Sequence, residues 1–208
     1  GAKIYYTVDG YTPDATTELY TKPFTVKVLP DGQRIVKTRV ISPSGKLSAV
    51  TTTILDNSLP LVANANPGFL PGLQAYFVPG VFNYTKEIDT LKANEEAIVP
   101  SVALGKYRNM ARTFGLVMNG FLQAAEDGVY SFTLSSDDGS ALWIDDKLVV
   151  DNDDKHAAFS LTGAVRLQKG YHKIQVKYFQ AGGSATLKLW MKLPSGISQE
   201  IPQTLYTH

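Results

Sequence analysis

Cysteine is absent from all 208 residues. That excludes disulfide staples, thiol nucleophiles and thiolate-bound metals, and it leaves the compartment open. An excess of charge of one sign is also missing: 20 Lys and Arg stand against 19 Asp and Glu, a net +1. Without a global basic field, nothing draws the chain to nucleic acid or to an acidic lipid surface. No apolar run approaches the ~20 residues of a membrane span, and no amino-terminal targeting segment is visible. Stripes of apolar residues at helical spacing are missing too. The chain opens at Gly1-Ala2-Lys3 directly before an extended run, as a piece of a longer polypeptide would.

Alternation with period two fills the sequence instead. Ile4, Tyr6 and Val8 alternate with Tyr5 and Thr7 before an Asp9-Gly10 turn. Phe24, Val26 and Val28 form a second inward set, and Asp31-Gly32 turns the chain into Val36, Thr38 and Val40. Ser44-Gly45 precedes a Thr-rich strand over 49–54. This pattern describes a small antiparallel sandwich over residues 1–57, near the lower size limit for independent folding. Residues 58–71, with Pro60, Pro67 and Pro71, read as a linker. Leu59, Leu61, Val62, Phe69 and Leu70 are expected to pack and make that joint a fixed one.

The second domain, 72–208, has longer strands. Phe114 to Ala124 is one. Ile174, Val176 and Tyr178 oppose Lys173, Gln175 and Lys177, and the turn Ala181-Gly182-Gly183-Ser184 is expected to return a hairpin through Leu187, Leu189 and Met191. Two-sided alternation with frequent turns means antiparallel sheets with one wet face. The fold class is therefore all-β: a small Ig/fibronectin-like sandwich followed by a larger antiparallel sandwich or barrel.

Chemistry concentrates between Gly128 and Asp154. Tyr130, Phe132 and Leu134 share one strand face, Leu142 and Ile144 another, and Ser136-Asp137-Asp138-Gly139 lies between them. Adjacent side chains of a strand point to opposite faces. Asp137 and Asp138 meet one ligand only where the backbone departs from regular geometry, and converging carboxylates need a cation or hydrogen-bond donors. A plain turn whose acids accept backbone N–H groups is the alternative. Asp145-Asp146 fits a tight hairpin turn, since Asp tolerates left-handed geometry. Asp151-Asn152-Asp153-Asp154 reads as a solvated loop that could lie beside Asp137 and Asp138. Its neighbour His156 is either a ligand hydrogen-bonding group or a surface residue without a role. Trp143, facing away from Leu142 and Ile144, is either a stacking platform for a ligand or a packing residue. Trp190 is read as packing. No pair of carboxylates across a cleft, no phosphate loop and no nucleophile elbow can be assembled.

Two resemblances cover nearly the whole chain. Gly72-Leu73, Tyr76, Glu126 to Phe132, Ser136-Asp137-Asp138-Gly139-Ser140, Leu142-Trp143-Ile144-Asp145, Lys169-Gly170-Tyr171-His172 and Val176 to Phe179 resemble the PA14 domain of the anthrax protective antigen, glycosidases and adhesins. Tyr5 to Gly10, Thr12-Pro13, Leu19-Tyr20, Pro23-Phe24 and Ser44 to Ser48 resemble the fibronectin type III-like module of chitobiases. That family has a strand ahead of Gly1, which this chain lacks. The pairing implies the C-terminal region of a secreted, periplasmic or surface-bound bacterial glycoside hydrolase. A family-twenty β-N-acetylhexosaminidase is the form expected, with the catalytic domain upstream. It further implies a non-catalytic module that binds or orients glycan, or else one that only braces the enzyme. In adhesins the pair matching Asp137 and Asp138 is cis and holds Ca²⁺ that chelates sugar hydroxyls. Asp137 and Asp138 are thus the implied metal ligands, and with Trp143 and His156 the carbohydrate-binding set. Those adhesins add ligands from a later loop, whose counterpart here, 180–184, offers no carboxylate.

Overall fold

The computed structural model describes residues 1–30, 32–65 and 70–208. Asp31 and Phe69 lie outside the described residues, and with them one half of the expected Asp31-Gly32 turn and the packing expected of Phe69. The chain divides into two compact units, Gly1–Leu59 and Pro60–His208.

In the first unit, β1 (Lys3–Thr7), β2 (Glu18–Leu19), β3 (Gln33–Ile41) and β4 (Thr51–Asp56) form one antiparallel sheet in the order β2-β1-β3-β4. Gly10 and Gly45 turn the chain with φ of +86° and +80°, which a side chain would oppose. The expected strand at Phe24–Val28 joins no ladder. Phe24 instead stacks on Tyr6, with ring centroids 4.4 Å apart, so side-chain contact replaces backbone pairing there. Among the described large apolar residues of this unit only Ile54 is buried, whereas Ile4, Leu19, Tyr20 and Val40 stay exposed.

Among its described residues the second unit has eleven strands: β5 (Leu73–Pro79), β6 (Glu95–Val99), β7 (Phe114–Ala124), β8 (Gly128–Asp137), β9 (Ser140–Ile144), β10 (Lys147–Asn152), β11 (Phe159–Leu167), β12 (Gly170–Gln180), β13 (Thr186–Lys192), β14 (Ser198–Glu200) and β15 (Tyr206–Thr207). They form two antiparallel sheets. One runs β10-β9-β12-β7-β5-β6 with β15 against β7, and the other runs β11-β8-β13-β14. Inward residues of the two fill the core. Tyr130, Phe132, Leu134, Leu142, Leu116, Met118 and Tyr178 are fully buried, each such apolar side chain contributing about 2 kcal/mol. The segment after Leu59 belongs to this unit. Leu61 N donates to Arg166 O, and Asn64 N to Tyr171 O. Leu61 packs on the core, but Val62 and Leu70 remain exposed, as does Leu59 of the first unit, against the expectation that all of them pack.

The topology corrects one reading. β12 pairs with β7 and β9, while β13 pairs with β8 and β14, so residues 181–185 do not close a hairpin. They carry the chain from one sheet to the other. Gly-rich turn residues reverse a chain equally well within a sheet or across the gap between two.

Candidate functional site

Among the described residues six connections cross from sheet to sheet, and three of them lie at one end of the sandwich: Asp138-Gly139 between β8 and β9, residues 153–158 between β10 and β11, and residues 181–185 between β12 and β13. They meet at one place. Ala181 N donates to Asp138 Oδ2 at 2.8 Å, and Phe179 N donates to Gly139 O at 2.9 Å. A Cβ on Gly139 would lie 2.6 Å from Asp154 O and 2.4 Å from Phe179 Cε1, so only glycine lets the 153–158 loop lean on the acidic turn. The Asp137–Asp138 peptide is cis, the geometry the adhesin resemblance implies.

Beneath the turn sits a buried polar plug. Ser136 Oγ and Ser140 Oγ are 2.7 Å apart, and Asn152 Nδ2 donates to Ser136 Oγ at 2.9 Å. The Tyr178 hydroxyl donates to Asp137 O at 2.6 Å and also meets Gln180 Oε1, while Gln180 Nε2 donates to Ser184 O at 2.9 Å. Buried polar atoms hold a unique geometry when they are satisfied in this way. Burial and the two nearby carboxylates push the Tyr178 phenol far above its ordinary value, so it stays a neutral donor. The acidic loop is tethered as well, because Asp153 accepts hydrogen bonds from Thr85 N (2.8 Å) and Thr85 Oγ1 (2.9 Å) at a short 3₁₀ turn, Thr85–Thr90.

Asp138 is buried and Asp137 half-buried. Burial first, and then the Asp138 carboxylate, push Asp137 above the usual carboxylate range, against the opposing pull of the Ala158 N–H and His156. Burial likewise raises Asp153. Among the described residues no three His, Cys, Asp or Glu cluster as a metal site would. The acids of this turn are Asp137 and Asp138, with Asp154 O close against Gly139 beside them.

Comparison with protein families matches residues 71–205 to the PA14 domain and residues 1–55 to the Fn3 associated family. The chain belongs to the PA14 domain family. No curated protein sequence matches it. Among solved structures, the PA14 sugar-binding domain from an RTX adhesin is 18% identical with a TM-score of 0.59, over 67% of this chain and 99% of that one. An anti-sigma factor domain-containing protein is 14% identical with a TM-score of 0.59, over 100% of this chain and 76% of that one. The epithelial adhesin 9 A domain of Candida glabrata, in complex with Galβ1-4GlcNAc, is 11% identical with a TM-score of 0.56, over 70% and 92%. These likenesses describe a shared fold.

Within the PA14 unit the four sequence-selected residues do not all converge. Asp137, Asp138 and His156 do. His156 rests by the crossovers with Nδ1 2.8 Å from Ala157 O and Nε2 3.1 Å from Asn152 O. Both ring nitrogens lie within hydrogen-bond distance of carbonyl oxygens of its own loop, which orients the ring. Trp143 lies elsewhere. It is three residues beyond Ser140 and points to the opposite face, roughly 10 Å along the strand, where it lines a separate cleft. Asp145 and Asp146 do turn a hairpin, at φ of +45° and +64°. Asp145 is also a hub, accepting hydrogen bonds from His172 Nδ1, Lys173 N and Asn64 Nδ2 at 2.6, 2.7 and 3.0 Å. Trp190 is half-buried, with Lys188 5.9 Å from its ring centroid.

The plug had a legible signal that the sequence reading missed. Ser136 continues the inward series Tyr130, Phe132, Leu134. Ser140 precedes Leu142 and Ile144, and Asn152 follows Val150. Three polar residues at inward positions mark the end of the core where the site sits.

Proposed function

We propose that the PA14 unit is a non-catalytic carbohydrate-binding module whose site is the crossover end of the sandwich. The observation that carries the reading is the Asp137-Asp138 pair. One acid is anchored by the Ala181 N–H, the other is half-buried and held in an unfavourable environment beside it. A bound cation relieves that repulsion. Asp137 and Asp138 suit Ca²⁺, a hard ion that takes six to eight oxygens; the two carboxylates, neighbouring main-chain oxygens and a sugar diol supply that chemistry. The names of the RTX adhesin domain and of the Candida glabrata adhesin complex support saccharide as the ligand class. The adjoining Fn3 associated module supports a secreted or surface glycoside hydrolase parent, of β-N-acetylhexosaminidase type, whose catalytic domain lies upstream.

Glycan-array binding by the full chain, with and without EDTA, tests the reading. Binding that EDTA abolishes and that Asp137→Ala removes supports it. Asp137→Asn is expected to lose binding while raising the thermal midpoint of the calcium-free chain, because it deletes a penalised charge. The competing reading, a brace without ligand, draws on the hydrogen bonds that the two acids accept from backbone N–H groups. Absence of binding to any glycan, with or without calcium, would favour it. Turnover of a chromogenic N-acetylglucosaminide by the isolated chain would contradict the non-catalytic assignment.

A further inference from the structure

The wet face of the seven-stranded sheet carries a second polar constellation. Trp143 of β9 pairs with Gln175 of β12, Gln175 with Asn119 of β7, and Asn119 with Gln74 of β5. One indole and three carboxamides thus stand in a straight line across four neighbouring strands, all half-buried and all opposite the core. The line spans roughly 14 Å, three inter-strand steps, about the length of a disaccharide or trisaccharide. It lines a cleft of about 360 Å³, to which Lys173 and Asp146 also contribute. That volume lies in the range of small-molecule sites.

The amides are held in place by their neighbours, and the Tyr76 hydroxyl donates to Gln74 Oε1 at 3.5 Å. Gln175 Nε2 donates to Asn119 Oδ1 at 2.9 Å, which orients both amides. A carboxamide carries two donors and an acceptor with two lone pairs, so the Asn119 N–H₂ and the Gln175 carbonyl remain available. Asn is a residue that strands disfavour, yet Asn119 sits in the middle of the eleven-residue β7. The Lys177 ammonium, which does not line the cleft, lies 5.3 Å from the Trp143 ring centroid. Asp89 holds that ammonium at 2.6 and 2.8 Å. The charges beside the cleft cancel, with Lys173 Nζ 3.6 Å from Asp146 Oδ2.

We infer that this row is a second saccharide site, independent of calcium, for a short neutral oligosaccharide of gluco configuration. Equatorial hydroxyls leave a C–H face free to stack on Trp143, and vicinal hydroxyls present alternating donors and acceptors to the amide row. An uncharged ligand matches the cancelled charges. The site rests on the outer face of the sheet and does not use Asp137 or Asp138, so either site can exist without the other.

The test is calorimetric titration of the full chain, in EDTA, with cellotriose, xylotriose and chitotriose. Saturable millimolar binding of at least one trisaccharide is expected. Trp143→Ala should weaken it at least tenfold and Gln175→Ala several-fold, whereas Asp137→Ala leaves it unchanged. In a Trp190→Phe background the same titration should change the emission of Trp143. Gln175→Ala alters only a half-exposed side chain and keeps the test valid should Trp143→Ala fail to fold. No heat and no emission change with any of the three sugars into the tens of millimolar overturns the inference. Binding unaffected by Trp143→Ala and Gln175→Ala overturns it equally. Loss of calcium-dependent array binding in Asp137→Ala bears only on the first site.

Discussion

Asp145→Asn isolates one charge at the foot of the Trp143 hairpin. His172 is fully buried, with Nδ1 2.6 Å from Asp145 Oδ2 and Nε2 2.8 Å from Gln168 O. Only imidazolium can donate to both acceptors at once. Burial pulls the His172 pKa down. The Asp145 hydrogen bond, the Gln168 carbonyl and the Asp145 charge outweigh it and hold the group above its ordinary value. A pKa raised on folding adds stability that is complete below the unfolded value of about 6.5 and disappears as pH rises through the folded value. Asn keeps the left-handed backbone at φ +45° and the acceptor for Lys173 N and Asn64. Its amide N–H₂ then faces Nδ1 and selects neutral imidazole. The lost charge-assisted bond is worth about 2 kcal/mol, a midpoint shift of about 6 °C for a unit of this size. Urea unfolding followed by Trp143 and Trp190 emission reports on the second unit, which holds both tryptophans. The variant should be about 2 kcal/mol less stable near pH 5.5 and nearly equal to the parent near pH 9. A deficit of the same size at both pH values would refute the assignment of a charged His172.

Gly139→Ala pushes a Cβ into Phe179 Cε1, Asp154 O and Asp154 N at 2.4, 2.6 and 2.9 Å. It should cost about 1–3 kcal/mol in urea unfolding and abolish EDTA-sensitive glycan binding by displacing the 153–158 loop. Asp153→Ala removes the carboxylate that Thr85 N and Thr85 Oγ1 address. A loss of about 2 kcal/mol is expected, with amide exchange quickening first at Thr85–Thr90.

Alternation alone places Tyr130, Phe132, Leu134, Leu142 and Ile144 in the core and specifies an all-β chain, because side-chain direction in a strand follows from backbone geometry that is local. The same holds for Asp145-Asp146: a turn with positive φ is a property of a few adjacent residues. The sequence by itself therefore determined the all-β class, these inward faces of the second unit and the acidic turn, but not the first unit, where Phe24–Val28 joins no ladder and Ile4 and Val40 stay exposed. Which turns are hairpins and which are crossovers was decided only in three dimensions. Ala181 to Ser184 reverses direction either way, and the choice depends on which strands, far away in the chain, are free to pair. That choice brings 137–139, 153–158 and 181–185 to one end of the sandwich, with Ala181 N on Asp138. It also aligns Trp143, Gln175, Asn119 and Gln74, four residues without any sequence proximity, through the register of four strands. Register is set by the buried face of each strand, so the outward row is a consequence of core packing that no local reading of the chain contains.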